Sequence, residues 1–149
     1  MDYDAVRKGL EQAIPYNRYL GLAVTEVADG RGVVRLPEED HLQNHVGSQH
    51  AGALFSAGEA ASGAAFVGAF AERMGDITPL ARSAEISYRK LARGAITATG
   101  TLGEPKASLL ERLDADGKVE FGVQVDLADA DGNSVAEMTV HWHVRRNQT

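Results

Sequence analysis

Residues 44–71 read NHVGSQHAGALFSAGEAASGAAFVGAFA. A polar, turn-like entry gives way to a long run of alanine, glycine and apolar residues, with one acid, Glu59, in its middle. Alanine, leucine and phenylalanine are compatible with a long helix, whereas Gly52, Gly58, Gly63 and Gly68 each oppose it by about 1 kcal/mol relative to alanine. A helix that tolerates so many small residues is expected to pack closely against something broad, most simply a sheet that wraps around it. A carboxylate on such a helix must be solvated, paired or employed. The same run is long enough to span a membrane. Against that reading, an acid near the centre costs roughly 2.5–3.5 kcal/mol on insertion scales, and alanine and glycine offer little apolar transfer energy to offset it. No basic cluster flanks one end to set a topology. The expectation is the buried helix of a soluble domain, ending near Gly75, where Gly-Asp and then Pro79 break it.

Working outward, residues 4–14 predict a short amphipathic helix that Pro15 stops. Leu22, Val24 and Val27 mark a strand, Asp29-Gly30 a turn, and Gly32 to Leu36 a second strand, together a hairpin. A loop through His41 to Gln49 leads into the central helix. Everything after Pro79 is read as alternating with period two. Strands are predicted around residues 84–88, 96–102, 109–113, 119–127 and 136–145, the third with a weaker pattern. Asp116-Gly117 and Asp131-Gly132 are read as hairpin turns. The fold class is therefore α+β: one domain over residues 1–149, a long central helix wrapped by a curved antiparallel sheet.

The chain has 149 residues, enough for one domain with a real core. Its net charge of −6 argues against non-specific nucleic-acid binding but leaves room for a local basic patch. With no cysteine there is no disulfide, no thiolate nucleophile and no cysteine-based zinc site. The five histidines show no consistent ligand spacing, so no metal and no other cofactor is expected. The charged N-terminal stretch lacks an apolar leader segment, which makes a cytoplasmic location the default expectation.

The order of elements, together with Asn44-x-x-Gly47-Ser48-x-His50-Ala51-Gly52 followed by Glu59, resembles the hotdog-fold acyl-CoA thioesterases. The group it looks most like contains the phenylacetate-degradation-type and 4-hydroxybenzoyl-CoA thioesterases. The resemblance spans nearly the whole chain in element order and is specific from Asn44 to about Gly63. In that family an Asn or Gln ends the loop, a Gly seven residues later presents its N–H at the helix start, and an acid eight residues beyond is the catalytic carboxylate. Those positions fall on Asn44, Ala51 and Glu59. Ala51 stands where the family has the first glycine of His-Gly-Gly, and keeps the N–H. Some relatives place a water-assisting Ser or Thr early in the next strand. Ala81 aligns there, so that role is either vacant or shifts to Ser83.

The resemblance implies hydrolysis of an acyl-CoA to a carboxylic acid and free CoA. The Ala51 N–H, joined by Gly52, would hold the oxyanion at the positive end of the helix. Glu59 would act as nucleophile or as general base, and Asn44 would orient the water or the carboxylate. Arg89, Lys90 and Arg93 follow a strand end where the family commonly meets the CoA nucleotide, though solvated strand-end charges would read the same. Ala51 and Glu59 lie eight residues apart on one helix, roughly 12 Å along its axis. One carbonyl cannot be reached by both groups of the same chain, so a two-fold pair of chains with shared sites is expected. The family implies the same homodimer, and often a dimer of dimers.

Each residue has a plainer reading. Glu59 could be a buried acid paired for structure, Asn44 a loop or capping residue, and His50 a first-turn residue whose ring fixes the loop. Trp142 reads as core, and His141 and His143 as polar-face residues. The competing function is a non-catalytic acyl-CoA or lipid-binding hotdog module. A hydratase of the same fold would need a histidine–acid pairing that this sequence does not show.

Overall fold

The structure, a computed structural model, describes residues 1–148. Helix α3, Ala51–Phe70, is the centre of the fold, and a 3-10 turn over Ala71–Asp76 extends it. A six-stranded antiparallel sheet curves around it in the order β1-β2-β4-β5-β6-β3. The strands are β1 Ala23–Ala28, β2 Arg31–Leu36, β3 Ile77–Tyr88, β4 Ile96–Leu102, β5 Lys118–Ala128 and β6 Ser134–Arg146. Ala51–Asp76 is long and apolar enough to cross a membrane, but 78% of its apolar window is buried inside the fold. It is the core of this domain, and the architecture is the hotdog fold.

The small residues explain how closely helix and sheet approach. Gly32 of β2 and Gly100 of β4 are register partners directly beneath the helix. A Cβ on Gly32 would collide with Ala64, and one on Gly100 would lie 2.6 Å from the Ala61 carbonyl oxygen. Gly68 of the helix sits against the Ala28 carbonyl, and a Cβ on Gly58 would lie 2.6 Å from the Met138 sulfur. The C-terminal half of α3 closes the core with aromatics. Phe66 stacks on Trp142 at 5.6 Å between ring centres, and Phe70 stacks on Phe121 at 5.6 Å.

The two sheet edges are treated differently. Helix α1, Tyr3–Ala13, lies along β1. There Glu11 accepts from the Val24 N–H at 2.8 Å and Arg7 donates to the Val24 carbonyl at 3.1 Å, so side chains occupy backbone groups of that edge. At the other edge, β3 runs for twelve residues and is exposed over most of its length, Leu80 and Tyr88 included.

Four expectations change. Residues 106–116 form helix α4, Lys106–Asp116, and not a strand. Leu109 and Leu113, four residues apart, are fully buried while Glu111 between them is exposed, a helical period that a two-residue alternation imitates. Asp116-Gly117 is accordingly a helix end: Gly117, at φ 75°, is the left-handed cap and its N–H returns to the Leu113 carbonyl. Pro15 both stops α1 and opens a second short helix, α2, Pro15–Tyr19, as its first residue. Pro79 breaks nothing; it lies within β3, where an edge strand tolerates a missing N–H.

Candidate active site on the open face of the central helix

Most of α3 is buried by the sheet, but Phe55, Glu59, Gly63 and Val67 are only half-buried. Their four-residue spacing makes them one stripe, the least buried face of the helix beyond its first turn. Glu59 is the one charged group on that stripe. It opens into a cavity of about 300 Å³ whose walls include Leu10 and Ile14 of α1–α2, Phe66 and Val67 of α3, and Trp142 of β6. Among the described residues the Glu59 carboxylate has neither a hydrogen-bond donor nor an ion-pair partner. Burial alone pushes its carboxyl above the usual carboxylate range. A structural acid would be expected to carry a partner; this one is left available.

The Glu59 backbone is held from behind. Ser62 Oγ donates to the Glu59 carbonyl at 2.7 Å, and Trp142 Nε1 donates to the same Ser62 Oγ at 3.2 Å. Trp142 is core, as its alternation indicates, and it is also cavity wall. Its tie to Ser62 crosses 80 residues of sequence and has no local signal.

The positive end of α3 is built by His50. Its extended backbone (φ −63°, ψ 141°) makes it the N-cap, and its Nδ1 accepts the Gly52 N–H at 2.8 Å. That bond requires the neutral ring with its proton on Nε2. The Ala53 and Leu54 N–H groups both turn to the His50 carbonyl, at 2.9 and 3.0 Å. Of the first four helical donors, three are thereby engaged. The Ala51 N–H, at an exposed position, is left without a partner among the described residues. Gly52 shares the tip, but its N–H is committed to His50.

The Asn44 side chain bonds within its own loop. Its carbonyl oxygen accepts from the Val46 and Ser48 N–H groups at 3.0 and 3.1 Å, and its amide donates to Ser48 Oγ at 2.8 Å. It pins the turn whose Gly47, at φ 76°, lets the chain double back. Gln49, buried and unnoticed in the sequence, carries this loop on: its Nε2 donates to the carbonyls of Pro37 and Gly94, each at 2.9 Å.

Tyr88, also missed from sequence, ties the last residue of β3 to the helix tip by donating its hydroxyl to the Ala51 carbonyl at 3.0 Å. The basic segment that follows is thereby anchored beside the tip. Arg89 is paired with Glu137 at 2.8 Å. Lys90 and Arg93 are exposed and have no ion-pair partner among the described residues. Ser83 is exposed on β3 next to the irregularity in register between Ala81 and Ser83. Among the described residues no group of three or more histidines and acids is arranged to hold a metal ion.

This architecture recurs among solved structures. A Pseudomonas aeruginosa protein of unknown function, described as a probable thioesterase, superposes with a TM-score of 0.86 at 28% identity, over 97% of this chain and 95% of that one. A Staphylococcus aureus thioesterase superposes at 0.72 with 18% identity, over 89% and 99%. The Escherichia coli protein PaaI, from the phenylacetic acid degradation operon, does so at 0.73 with 17% identity, over 95% and 90%. No curated protein matches the chain significantly by sequence. A family model for a domain of unknown function matches residues 3–144, and the chain accordingly belongs to the DUF4442 family.

Proposed function

We propose that this protein is an acyl-CoA thioesterase that works as a homodimer, with Glu59 of one chain and the Ala51 N–H of the other acting on the same thioester carbonyl. The observation that carries the reading is the unpartnered, half-buried Glu59 carboxylate beside an apolar cavity, on the same helix as a free N–H at its tip. The tip N–H, at the positive end of the helix dipole, polarises the carbonyl and holds the oxyanion as it forms. The ionised Glu59 attacks the carbonyl carbon, or removes a proton from the water that does. By the first route the C–S bond breaks to leave an acyl–Glu59 anhydride, which water then hydrolyses to the carboxylic acid and free Glu59; by the second the water oxygen bonds to the acyl carbon as the C–S bond breaks; in both, a proton from that water ends on the CoA sulfur.

Assembly follows from the two edges. Because α1 engages backbone groups of β1, the long exposed β3 is the edge open to a second copy, and pairing it about a two-fold axis would continue the sheet. The helix stripe carrying Glu59 is the least buried face of α3 beyond its first turn and would meet its counterpart. Lys90 and Arg93, held near the tip through Tyr88, are offered to the CoA phosphates. Asn44 contributes by fixing the loop that presents the tip. Further support comes from the S. aureus thioesterase, which was solved with alanine replacing a glutamine and, separately, a glutamate fifteen residues further on. Asn44 and Glu59 are separated by the same interval.

The test is hydrolysis of a panel of acyl-CoAs by the wild type and by Glu59→Gln, following free thiol. Loss of about a hundredfold or more in kcat with retained acyl-CoA binding is expected. Unchanged hydrolysis by the variant removes Glu59 from the mechanism. Binding without hydrolysis in the wild type would make the protein the non-catalytic module.

A further inference from the structure

The cavity beside Glu59 contains one more polar residue, Asn17, and it comes from α2, the helix that Pro15 opens. Neither oxygen nor nitrogen of the Asn17 side-chain amide has a hydrogen-bond partner among the described residues. Its neighbour Tyr16 explains the placement. The Tyr16 hydroxyl is 3.0 Å from Ser56 Oγ, and Ser56 Oγ in turn donates to the Gly52 carbonyl at 2.9 Å. Ser56 is buried and lies three residues before Glu59 on the same helix. Docking α2 there sets Asn17 in the wall of the cavity that Glu59 opens into. No lysine or arginine lines that cavity, and the rest of its wall is apolar.

Three properties of the occupant follow. A volume of about 300 Å³ lies at the lower end of ligand pockets, roughly 300–1,000 Å³, which favours a compact group over a long chain. A carboxylate on the occupant would face Glu59 with no cation among the described residues of the cavity wall to offset it, which disfavours a dicarboxylic acyl group. A neutral amide in an otherwise apolar wall discriminates for a ligand atom that can hydrogen-bond to it. We infer that this cavity is the acyl pocket, that it takes a compact uncharged acyl group, and that Asn17 reads a hydroxyl or oxo substituent on that group. This rests on the thioesterase reading above, whose reacting carbonyl lies at Glu59.

Binding of non-hydrolysable CoA thioethers, measured by titration calorimetry, tests the pocket whether or not hydrolysis occurs. The probes are thioethers with a compact alkyl group, the same group bearing a hydroxyl, the same group ending in a carboxylate, and a long alkyl chain. The wild type should prefer the hydroxylated compound, with the carboxylate and the long chain weakest. Asn17→Leu should reduce the hydroxylated-to-plain preference by roughly three- to tenfold, the worth of one neutral hydrogen bond. Asn17→Ala should do the same, which guards against a fault peculiar to one variant. An unchanged preference in both variants overturns the inference. So does an equal loss for all compounds, which would make Asn17 a structural or water-positioning residue. A wild type that binds the plain and hydroxylated thioethers equally overturns it as well. Because the readout is binding, these outcomes are distinct from failure of the Glu59→Gln hydrolysis test, which bears on catalysis alone.

Discussion

The shared-site geometry makes a demand that one experiment can meet. Ala51 and Glu59 lie eight residues apart on α3, roughly 12 Å along its axis. Each must come within about 3 Å of the reacting group. Two single variants therefore break different halves of the site. Glu59→Gln removes the carboxylate. Ala51→Pro removes the tip N–H and little else, since Ala51 is the first helical residue, a position proline favours. His50 already has the extended backbone, ψ 141°, that a residue before proline requires. Each variant alone should lose at least about a hundredfold in kcat. Co-expressed with two different tags and purified as the mixed dimer, they should recover. One site then combines the intact Ala51 of the Glu59→Gln chain with the intact Glu59 of the other, while the second site is doubly broken. The mixed dimer should show about half the wild-type kcat per dimer. Activity no greater than that of the parent variants would refute the division of labour between chains.

Two other outcomes follow from the contacts described. Burial holds the Glu59 carboxyl above its ordinary value of 4.5, so the folded chain binds this proton more tightly than the unfolded chain. The resulting stabilisation is present below the unfolded pKa and is lost as pH rises through the raised folded one. Glu59→Gln should thus raise Tm at about pH 8 and leave it nearly unchanged at about pH 4, and the acidic limb of kcat/KM should lie above 4.5; an equal Tm shift at both pH values would contradict the assignment. Gly100→Ala should cost about 1–3 kcal/mol or more in urea unfolding, because its Cβ would meet the Ala61 carbonyl at 2.6 Å and backbone cannot yield as a side chain does. Gly9→Ala on α1, with nothing within 4 Å, should instead gain up to about 1 kcal/mol. Effects of the same sign would show that helix–sheet contact is not what the buried glycines serve.

Much of this was legible because small residues leave a distinctive trace. An alanine- and glycine-rich run with one acid admits few soluble packings, and strands with strict alternation such as β5 and β6 admit one register face. What misled was ambiguity in local chemistry. Leu109 and Leu113 satisfy periods of two and four alike, and Asp-Gly serves a hairpin turn or a helix cap because both need a residue at positive φ. The motif located the helix tip and the carboxylate. It did not reveal that His50 consumes the Gly52 N–H, that Asn44 is spent within its own turn, that Tyr88 bonds to the helix tip, or that Asn17 lines the cavity beside Glu59. Those facts depend on docking between segments distant in sequence, which no local pattern encodes.

The glycines under α3 bear on more than stability. Where Gly32, Gly68 and Gly100 meet their neighbours, main chain rests on main chain or on a single methyl group, with no rotamer in between to absorb a shift. Glu59 and the Ala51 amide are thus mounted on a beam seated without padding. Their spacing is set by covalent geometry, and in the proposed dimer any adjustment to a substrate would have to come from the side chain of Glu59 itself or from the rigid displacement of one protomer against the other.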